Sequence, residues 1–301
     1  MPNLHDIDRR INSVTSTKQI TRTMQMVAAA KVRRANERVQ AATPYSNSMV
    51  EMLASVAKRV GGSENALLRA HDEVKNVLVV VVASDRGLAG GFNSNVLRRA
   101  DRLIKEREAA GASVSVVACG KKAVGYYTYR KIEPALSFLD LSADPTVEEA
   151  SDIAALAVES YSNGDVDEVV LVYNHAKNPV EQVLRVETVL PIDTTAFTKD
   201  EQEADEAETT EEVLEGDVIF EPSPEGVLDR LLPAYVRTVL YHALIDSAAA
   251  EQAARRSAMM SATDNATEMI ELLTRLYNRV RQGAITTEIS EIVGGAAALE
   301  D

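Results

Sequence analysis

The chain has 301 residues, a formal net charge of −14, one cysteine and no tryptophan. A single cysteine excludes an intrachain disulfide and fits a reducing compartment, and the scarcity of aromatic residues disfavours modules that stack nucleic-acid bases on aromatic rings. Most of the charge is local, because residues 199–217 hold ten acids and one lysine, whereas residues 1–60 hold ten Lys or Arg and four Asp or Glu.

Residues 4–60 are predicted to form one long helix. Apolar residues recur at steps of three and four from Leu4 to Val14 and again from Ala28 onward, which places them on one side of a helix. The period breaks within residues 18–25, and we interpret the break as a phase slip. Because this helix is basic in an acidic protein, it suits an acidic partner surface rather than a nucleic acid.

After Gly61 and Gly62 the pattern changes to that of a small α/β domain. The predicted strands are 76–82, 113–118, 168–173 and the edge strand 183–189, and the predicted helices are 94–110, 121–127 and 146–161. The first strand is a continuous run of β-branched residues, as in a buried parallel strand. Caps are predicted at Asn93 or Ser94 and at Thr146. The alternation of strands and helices predicts a mostly parallel sheet.

The rest of the chain is predicted to be an acidic loop followed by a second long helix. Residues 199–216 form a polar, low-complexity segment, and a last short strand is predicted at 218–220. Residues 223–299 then repeat apolar positions with helical spacing. The predicted stripe near its end consists of Ala262, Ala266, Met269, Leu273, Leu276 and Val280.

The two terminal helices are predicted to pair. Long helices with three-four stripes most simply wind as a coiled coil, and an antiparallel arrangement suits helices at the two ends of one chain. The predicted fold class is therefore α/β, with a long antiparallel coiled coil and an inserted Rossmann-like domain. The predicted domains are 1–60, 74–221 and 223–301.

Two short segments resemble phosphate-binding turns without matching them. The turn Ser84–Asn93 follows a strand and is rich in glycine, but its spacing is neither that of a dinucleotide fingerprint nor that of a phosphate loop. A tight turn, a salt-bridged pair of Asp85 and Arg86 and a docking surface are the favoured interpretations. Residues 119–122 imitate the end of a phosphate loop and lack its first glycine and its final Ser or Thr.

No catalytic, cofactor or metal site is predicted. The four histidines have no metal-ligand spacing and are interpreted as isolated surface or packing residues, and no nucleophile motif is present. The acidic run 199–217 could bind cations, although a solvated loop is favoured. No apolar run approaches the length of a membrane span. The residues by themselves favour a mechanical or scaffold protein over a catalyst.

Segments at both ends of the chain and one turn in its central domain carry a resemblance to a known family. They are Arg10–Val14, Thr17–Thr21, Met24–Lys31, Ser84–Asn93, Ala262–Ala266, Tyr277–Gln282 and Ile285–Ala296. Together they resemble the gamma subunit of bacterial F-type ATP synthases over the whole chain. The family has the architecture predicted above, an antiparallel coiled coil with an α/β domain.

The resemblance implies a non-catalytic rotor in the central stalk, without a cofactor, that couples proton-driven rotation of a c-ring to conformational changes at catalytic beta subunits. The implied partners are the alpha and beta subunits of the catalytic hexamer, the epsilon subunit and the membrane c-ring. The implied location is peripheral, on the cytoplasmic side of the cell membrane. By position, Arg281, Gln282, Thr286 and Met24 match residues that contact beta subunits, and Glu221 lies where the family approaches the c-ring and epsilon.

Some features depart from the family or leave rival interpretations. Arg256 stands where the family usually has Met, which affects a local bearing contact, and the acidic loop is longer than usual. A first helix that starts almost at Met1 favours a bacterial chain without a transit peptide. The rivals are a free-standing coiled-coil scaffold, which would not co-purify with an ATPase, and a small α/β nucleotide enzyme, which would bind ATP by itself.

Overall fold

The structure, a computed structural model, is a mixed α/β fold between two long helices. It describes residues 3–60, 65–71, 73–178, 181–193 and 223–300. The helices are α1 Leu4–Val60, α2 Phe92–Ala109, α3 Lys121–Tyr129, α4 Val147–Ser162 and α5 Pro224–Glu300, with a 3₁₀ turn at Ala66–Leu68. The strands are β1 Asn76–Val82, β2 Ser113–Cys119, β3 Leu136–Phe138, β4 Glu168–Ala176 and β5 Gln182–Leu190. The predicted loop 199–216, the predicted strand 218–220 and Glu221 lie outside the described residues.

The five strands form one sheet in the order β3-β2-β1-β4-β5. The first four strands in this order are parallel, and β5 runs antiparallel to β4 at the edge. At the centre, Val79 of β1 pairs with Val116 of β2 and with Val170 of β4. The β-branched run of β1 is buried because helices cover both faces of the sheet. The predicted parallel sheet, its edge strand and the fold class are confirmed.

The two faces of the sheet are covered by different helices. On one face, α2 and α3 pack through residues that include Val96 and Tyr127. The other face packs against α4, the end of α1 and the first part of α5, with Leu53 and Leu232 in the same core. The α/β body is therefore joined to both terminal helices by a shared apolar core.

The helix caps were predicted with mixed success. Thr146 caps α4 as predicted, and it forms a capping box in which Thr146 and Glu149 bond each other's backbone N–H groups. The predicted cap of α2 at Asn93 or Ser94 is wrong, because the helix begins at Phe92, directly after Gly91. The Asn93 side chain instead accepts a hydrogen bond from the backbone N–H of Ser84, at 2.9 Å. Strand β3 was not predicted, since three residues are too few to display a period.

The chain divides into two compact units. The larger unit, Ala30–Ala254, contains the sheet, α2 to α4 and the adjoining parts of α1 and α5. Within it, Ala35 and Ala248 line one cavity, whereas Tyr45, further along α1, shares a cavity with Thr238, which comes earlier in α5. The two terminal helices therefore run antiparallel, as predicted.

In the smaller unit, Met1–Ala29 with Arg255–Asp301, α1 keeps a regular seam through the stretch that was predicted to slip. Lys18, Thr21 and Gln25 continue the three-four spacing between Ile7 and Ala28 as partly or fully buried residues. The predicted phase slip is wrong, because polar residues occupy the seam at these positions and interrupt only the apolar pattern.

The seam of α5 was predicted correctly at some positions and one residue out of place at others. Met269 and Leu276 were placed on the seam, but their side chains are 51% and 36% exposed. Between Met259 and Val280 the less exposed positions are Met259, Ala262, Thr263, Ala266, Thr267, Ile270, Leu273, Tyr277 and Val280. The prediction erred because apolar residues stand side by side at 269–270 and at 276–277, so that composition allows either phase.

Candidate functional site

The last described part of α5 is an exposed helix surface. Every residue from Arg281 to Gly295 is exposed. Four of them are large β-branched apolar residues with exposures between 47% and 66%, namely Ile285, Ile289, Ile292 and Val293. A contiguous apolar patch of this kind on a soluble protein usually marks an interaction site.

These apolar residues share one face of α5 with the residues that were predicted to contact beta subunits. At about 100° per residue, positions 281, 282, 285, 286, 289, 292 and 293 fall within one side of the helix. The opposite side carries small or polar residues, among them Thr287, Ser290 and Glu291. We call the first side the terminal contact face. It combines one cation, one amide and an apolar stripe.

The polar groups of the terminal contact face can recognise a carboxylate. Arg281 offers a planar fork of N–H donors, which fits a carboxylate in bidentate geometry. The Thr286 hydroxyl donates to the backbone carbonyl of Gln282, at 2.9 Å, so its oxygen is left as an acceptor. The amide of Gln282 adds a neutral donor and acceptor to the same side. A partner with an acidic group beside an apolar surface would match these features.

Met24, another predicted contact residue, lies on α1 and therefore not on the terminal contact face, which belongs to α5. Met24 is half-buried on the side of α1 that carries the buried Thr21 and Ala28, so only part of its side chain is available to a partner. Exposed apolar residues of the same helix lie nearby at Ile20, Met26 and Val27. Glu221 lies outside the described residues.

The glycine-rich turn after β1 is organised by its own side chains. The Asp85 carboxylate accepts hydrogen bonds from the backbone N–H groups of Lys121, Asp140 and Ser142, at 2.8 to 2.9 Å. Burial alone would raise the pKa of Asp85, but these N–H donors outweigh it and hold the pKa below its ordinary value. The predicted salt bridge between Asp85 and Arg86 is wrong, because among the described residues Asp85 bonds to backbone groups of neighbouring loops.

This arrangement also uses a donor that residues 119–122 could otherwise offer to an anion. The Lys121 N–H lies at the start of α3, where a phosphate would bind, and the Asp85 carboxylate already accepts its hydrogen bond. The Lys121 ammonium pairs with Asp140 at 2.6 Å. Burial raises the pKa of the Cys119 thiol to about 12, so this thiol is not a nucleophile at neutral pH.

The four histidines were predicted to be isolated surface or packing residues, and for His175 the predicted isolation is wrong. Its Nδ1 lies 2.6 Å from the Oδ2 of Asp246, a residue of α5 that is 2% exposed. The sequence carries no signal for this pair, because the two residues are 71 positions apart. Where the structure describes the chain, no group of three or more His, Cys, Asp or Glu side chains could hold a metal ion. None of the described helices is both long and apolar enough to cross a membrane.

Known proteins resemble the chain over its whole length. A family model described as ATP synthase matches residues 3–299. The ATP synthase gamma chain of Chlorobaculum tepidum is 44% identical over 303 residues, with 100% of both chains covered. The central stalk and c-ring structure of Tetrahymena thermophila mitochondrial ATP synthase contains a chain with a TM-score of 0.56 and 26% identity, over 81% of this chain and 99% of that one. The rotor of Euglena gracilis mitochondrial ATP synthase supports the fold, with a TM-score of 0.61 and 18% identity over 94% and 98% of the two chains.

Proposed function

Because the chain belongs to the ATP synthase gamma chain family, we propose that it is the central-stalk rotor of a proton-translocating F-type ATP synthase. Rotation of a membrane c-ring would turn the paired helices inside a hexamer of alpha and beta subunits. The turning shaft would then impose different conformations on the catalytic beta subunits. In this role the chain is a mechanical coupling element, and the nucleotide chemistry takes place on its partners.

One observation supports this function most directly, the exposure of the terminal contact face. An amphipathic helix that leaves its apolar side in water requires a partner that covers it. The face has an arginine and an amide beside isoleucines, which suits a ring subunit with acidic and apolar groups. We assign Arg281, Gln282 and Thr286 to this contact, with Met24 as a further contact on α1.

The parts of the chain have separate roles in this proposal. Helical regions 1–60 and 223–301 form the shaft, and the α/β domain 74–221 docks on the epsilon subunit and the c-ring, with Glu221 in that contact. The complex is peripheral to the cytoplasmic side of the cell membrane through the c-ring. A free-standing coiled-coil scaffold is disfavoured because the relatives are ATP synthase gamma chains along their full length.

Co-purification tests the proposed assembly. An affinity tag on the chain should recover alpha, beta, epsilon and c subunits from membranes in mild detergent, as identified by mass spectrometry. The double substitution Ile289→Asp with Ile292→Asp should reduce recovery of alpha and beta while epsilon and the c-ring are retained. The control, Thr287→Asp with Ser290→Asp, adds the same charges on the opposite side of α5 and should assemble normally. Recovery of the tagged wild-type chain without ATPase subunits would contradict the proposal.

The non-catalytic role can be tested on the isolated chain. The start of α3 is occupied by the Asp85 carboxylate, so a nucleotide phosphate has no free backbone N–H at Lys121. We therefore expect no ATP hydrolysis and no ATP binding at micromolar concentration. Calorimetric binding in that range, together with turnover in a homogeneous preparation, would favour the rival interpretation of a small α/β nucleotide enzyme.

A further inference from the structure

The carboxyl edge of the sheet holds α5 through a polar pair in which a buried carboxylate meets a partly exposed imidazole. Asp246 of α5 is 2% exposed, and its Oδ2 lies 2.6 Å from Nδ1 of His175 at the end of β4. A carboxylate accepts hydrogen bonds at both oxygens, and the tautomer of His175 that carries its proton on Nδ1 fits this contact. The other oxygen, Oδ1, accepts the backbone N–H of Ala176 at 3.1 Å. Both oxygens of one α5 carboxylate are therefore bonded to β4.

A small apolar contact follows Asp246 along α5, toward the C-terminal end of the helix. Ala250 and Ala254 of α5 form a buried cluster with Ala89 and Phe92 at the start of α2, and Ala176 packs against it. Alanine lets α5 approach the body closely. The backbone at the start of α2 is in turn held to β4, because Asn174 Nδ2 donates to the carbonyl of Phe92 at 3.3 Å. We call this cluster together with His175 and Asp246 the α5 clamp.

The α5 clamp holds a buried carboxylate at both oxygens, whereas much of the earlier contact between α5 and the α/β body is apolar. Earlier in α5, the packing uses side chains such as Leu228, Leu232 and Leu240, and the hydrogen bond from Asn65 to Asp229, at 2.6 Å, is exposed. Apolar packing is non-directional, so it resists separation more than it resists rotation of a helix about its own axis. Hydrogen bonds depend on angle and distance, so a carboxylate held at both oxygens fixes the rotational position of its helix.

The clamp also lies at the end of the larger compact unit, which finishes at Ala254. We propose that the His175–Asp246 pair is the positioning contact that passes torque from the α/β domain to α5 in the rotor. This inference rests on the proposed function. Residues of α5 from Asp246 onward would rotate with the α/β domain because the pair prevents slippage between the helix and the sheet.

An exposed ion pair provides a matched control. Arg38 of α1 pairs with Asp144 of the α/β body at 2.8 Å, but the Asp144 side chain is 77% exposed. Exposed pairs contribute little because water and salt screen them. Asp144→Ala and Asp246→Ala therefore remove the same group at a contact between the body and a terminal helix, once in water and once in a buried site.

Single-molecule rotation in the assembled complex measures the effect. The complex is fixed through the catalytic ring, and a bead is attached to the α/β domain at Tyr129→Cys, a residue that is 87% exposed. The native Cys119 is buried and does not compete for the label. The angular variance of the bead during pauses reports the torsional stiffness between the α/β domain and the ring.

We expect Asp246→Ala and His175→Leu to increase this variance several-fold and to lower ATP synthesis against a fixed proton-motive force. Unloaded ATP hydrolysis should change little, and the double variant should behave like either single one. His175→Lys, which restores a donor to Asp246, should recover stiffness, and Asp144→Ala should behave like the wild type.

Wild-type variance in either Asp246→Ala or His175→Leu would overturn the clamp. If Asp246→Ala does not assemble, His175→Leu decides the result, because it leaves the Asp246 bond to the Ala176 N–H in place. A wild-type complex whose bead never rotates during ATP hydrolysis would instead refute the proposed function. The two failures are therefore distinguishable.

Discussion

The hydroxyl oxygens of Thr263 on α5 and Thr21 on α1 lie 2.8 Å apart, in hydrogen-bond contact across 242 positions of sequence, and the Thr263 hydroxyl also lies 2.8 Å from the carbonyl of Met259 in its own helix. Thr21 is a buried seam residue, and its own hydroxyl lies 3.1 Å from the carbonyl of Lys18. The two long helices are thus joined by a polar bond at a seam position where an apolar residue would be usual. A polar seam residue of this kind fixes the register of a coiled coil.

Removing this bond should loosen the pairing of the two helices. Thr263→Val keeps the side-chain shape and removes the donor, so we expect a loss of about 1 kcal/mol in stability. Hydrogen exchange of α1 amides near Thr21 should accelerate accordingly. Thr274→Val is the control, because its exposed hydroxyl bonds only within α5, to the carbonyl of Ile270. Equal hydrogen-exchange protection of these α1 amides in both variants would show that the bond adds nothing to the pairing of the two helices.

Arg281→Ala with Gln282→Ala should impair coupling without preventing assembly. The pair lies on the terminal contact face, and truncating one partner of a partly buried charged contact costs about 2–5 kcal/mol. We expect ATP synthesis and ATP hydrolysis to fall many-fold in purified complex of checked stoichiometry. Thr287→Ala with Glu291→Ala makes two truncations on the opposite side and should leave both rates close to normal. Wild-type rates in the first variant would remove these residues from the coupling mechanism.

Gly120 is required at the turn between β2 and α3. Its φ is 91°, and an added Cβ would lie 2.3 Å from the carbonyl oxygen of Ala83. Gly120→Ala should therefore lower the free energy of unfolding by at least about 2 kcal/mol. Gly125→Ala, inside α3 with no atom within 4 Å of the added Cβ, should raise it by about 0.5–1 kcal/mol. Urea unfolding monitored by circular dichroism measures the free energy of unfolding of each variant. Equal changes in Gly120→Ala and Gly125→Ala would contradict this account.

Cys119 should be inert in the folded chain. Its thiol is buried, with a pKa raised to about 12, so it remains protonated at pH 7 to 9 in the native state and is shielded from reagents. We expect an aromatic disulfide reagent to modify it only after unfolding in urea, in a stoichiometry of one thiol per chain. Prompt reaction of the native chain at pH 8 would show that β2 is open to solvent.

Deletion of residues 200–214 should leave assembly intact. The segment is strongly acidic and offers little apolar surface to bury, so a core contribution from it would be small. Co-purification of the deleted chain with the alpha, beta, epsilon and c subunits measures the outcome. Failure to assemble would assign the segment a structural role.

Periodic and strongly patterned elements could be predicted from the sequence. The β-branched run of β1 and the cap of α4 at Thr146 each carry a local signal, and both were placed correctly. The seam of α5 was placed partly out of phase because Met269 and Ile270 are both apolar, and only packing decides between them. The prediction interrupted the seam of α1 at Thr21, because the partner that makes a polar residue suitable there, Thr263, lies at the far end of the sequence.

Contacts between distant residues could not be predicted. The Asp85 carboxylate bonds the backbone of loops that have no sequence signature, and His175 finds Asp246 only after β4 and α5 have packed. The residues of the terminal contact face were identified by family resemblance, and their alignment with Ile285, Ile289 and Ile292 became clear when the exposure of each side chain was known.

The most direct test of the rotor function is observation of rotation in the purified complex. The catalytic ring is fixed to a surface, a bead is attached to the α/β domain at Tyr129→Cys, and ATP is added. The account predicts stepwise rotation of the bead in one direction, at a rate that follows ATP hydrolysis. A bead that stays at one angle while the same complexes hydrolyse ATP would contradict it.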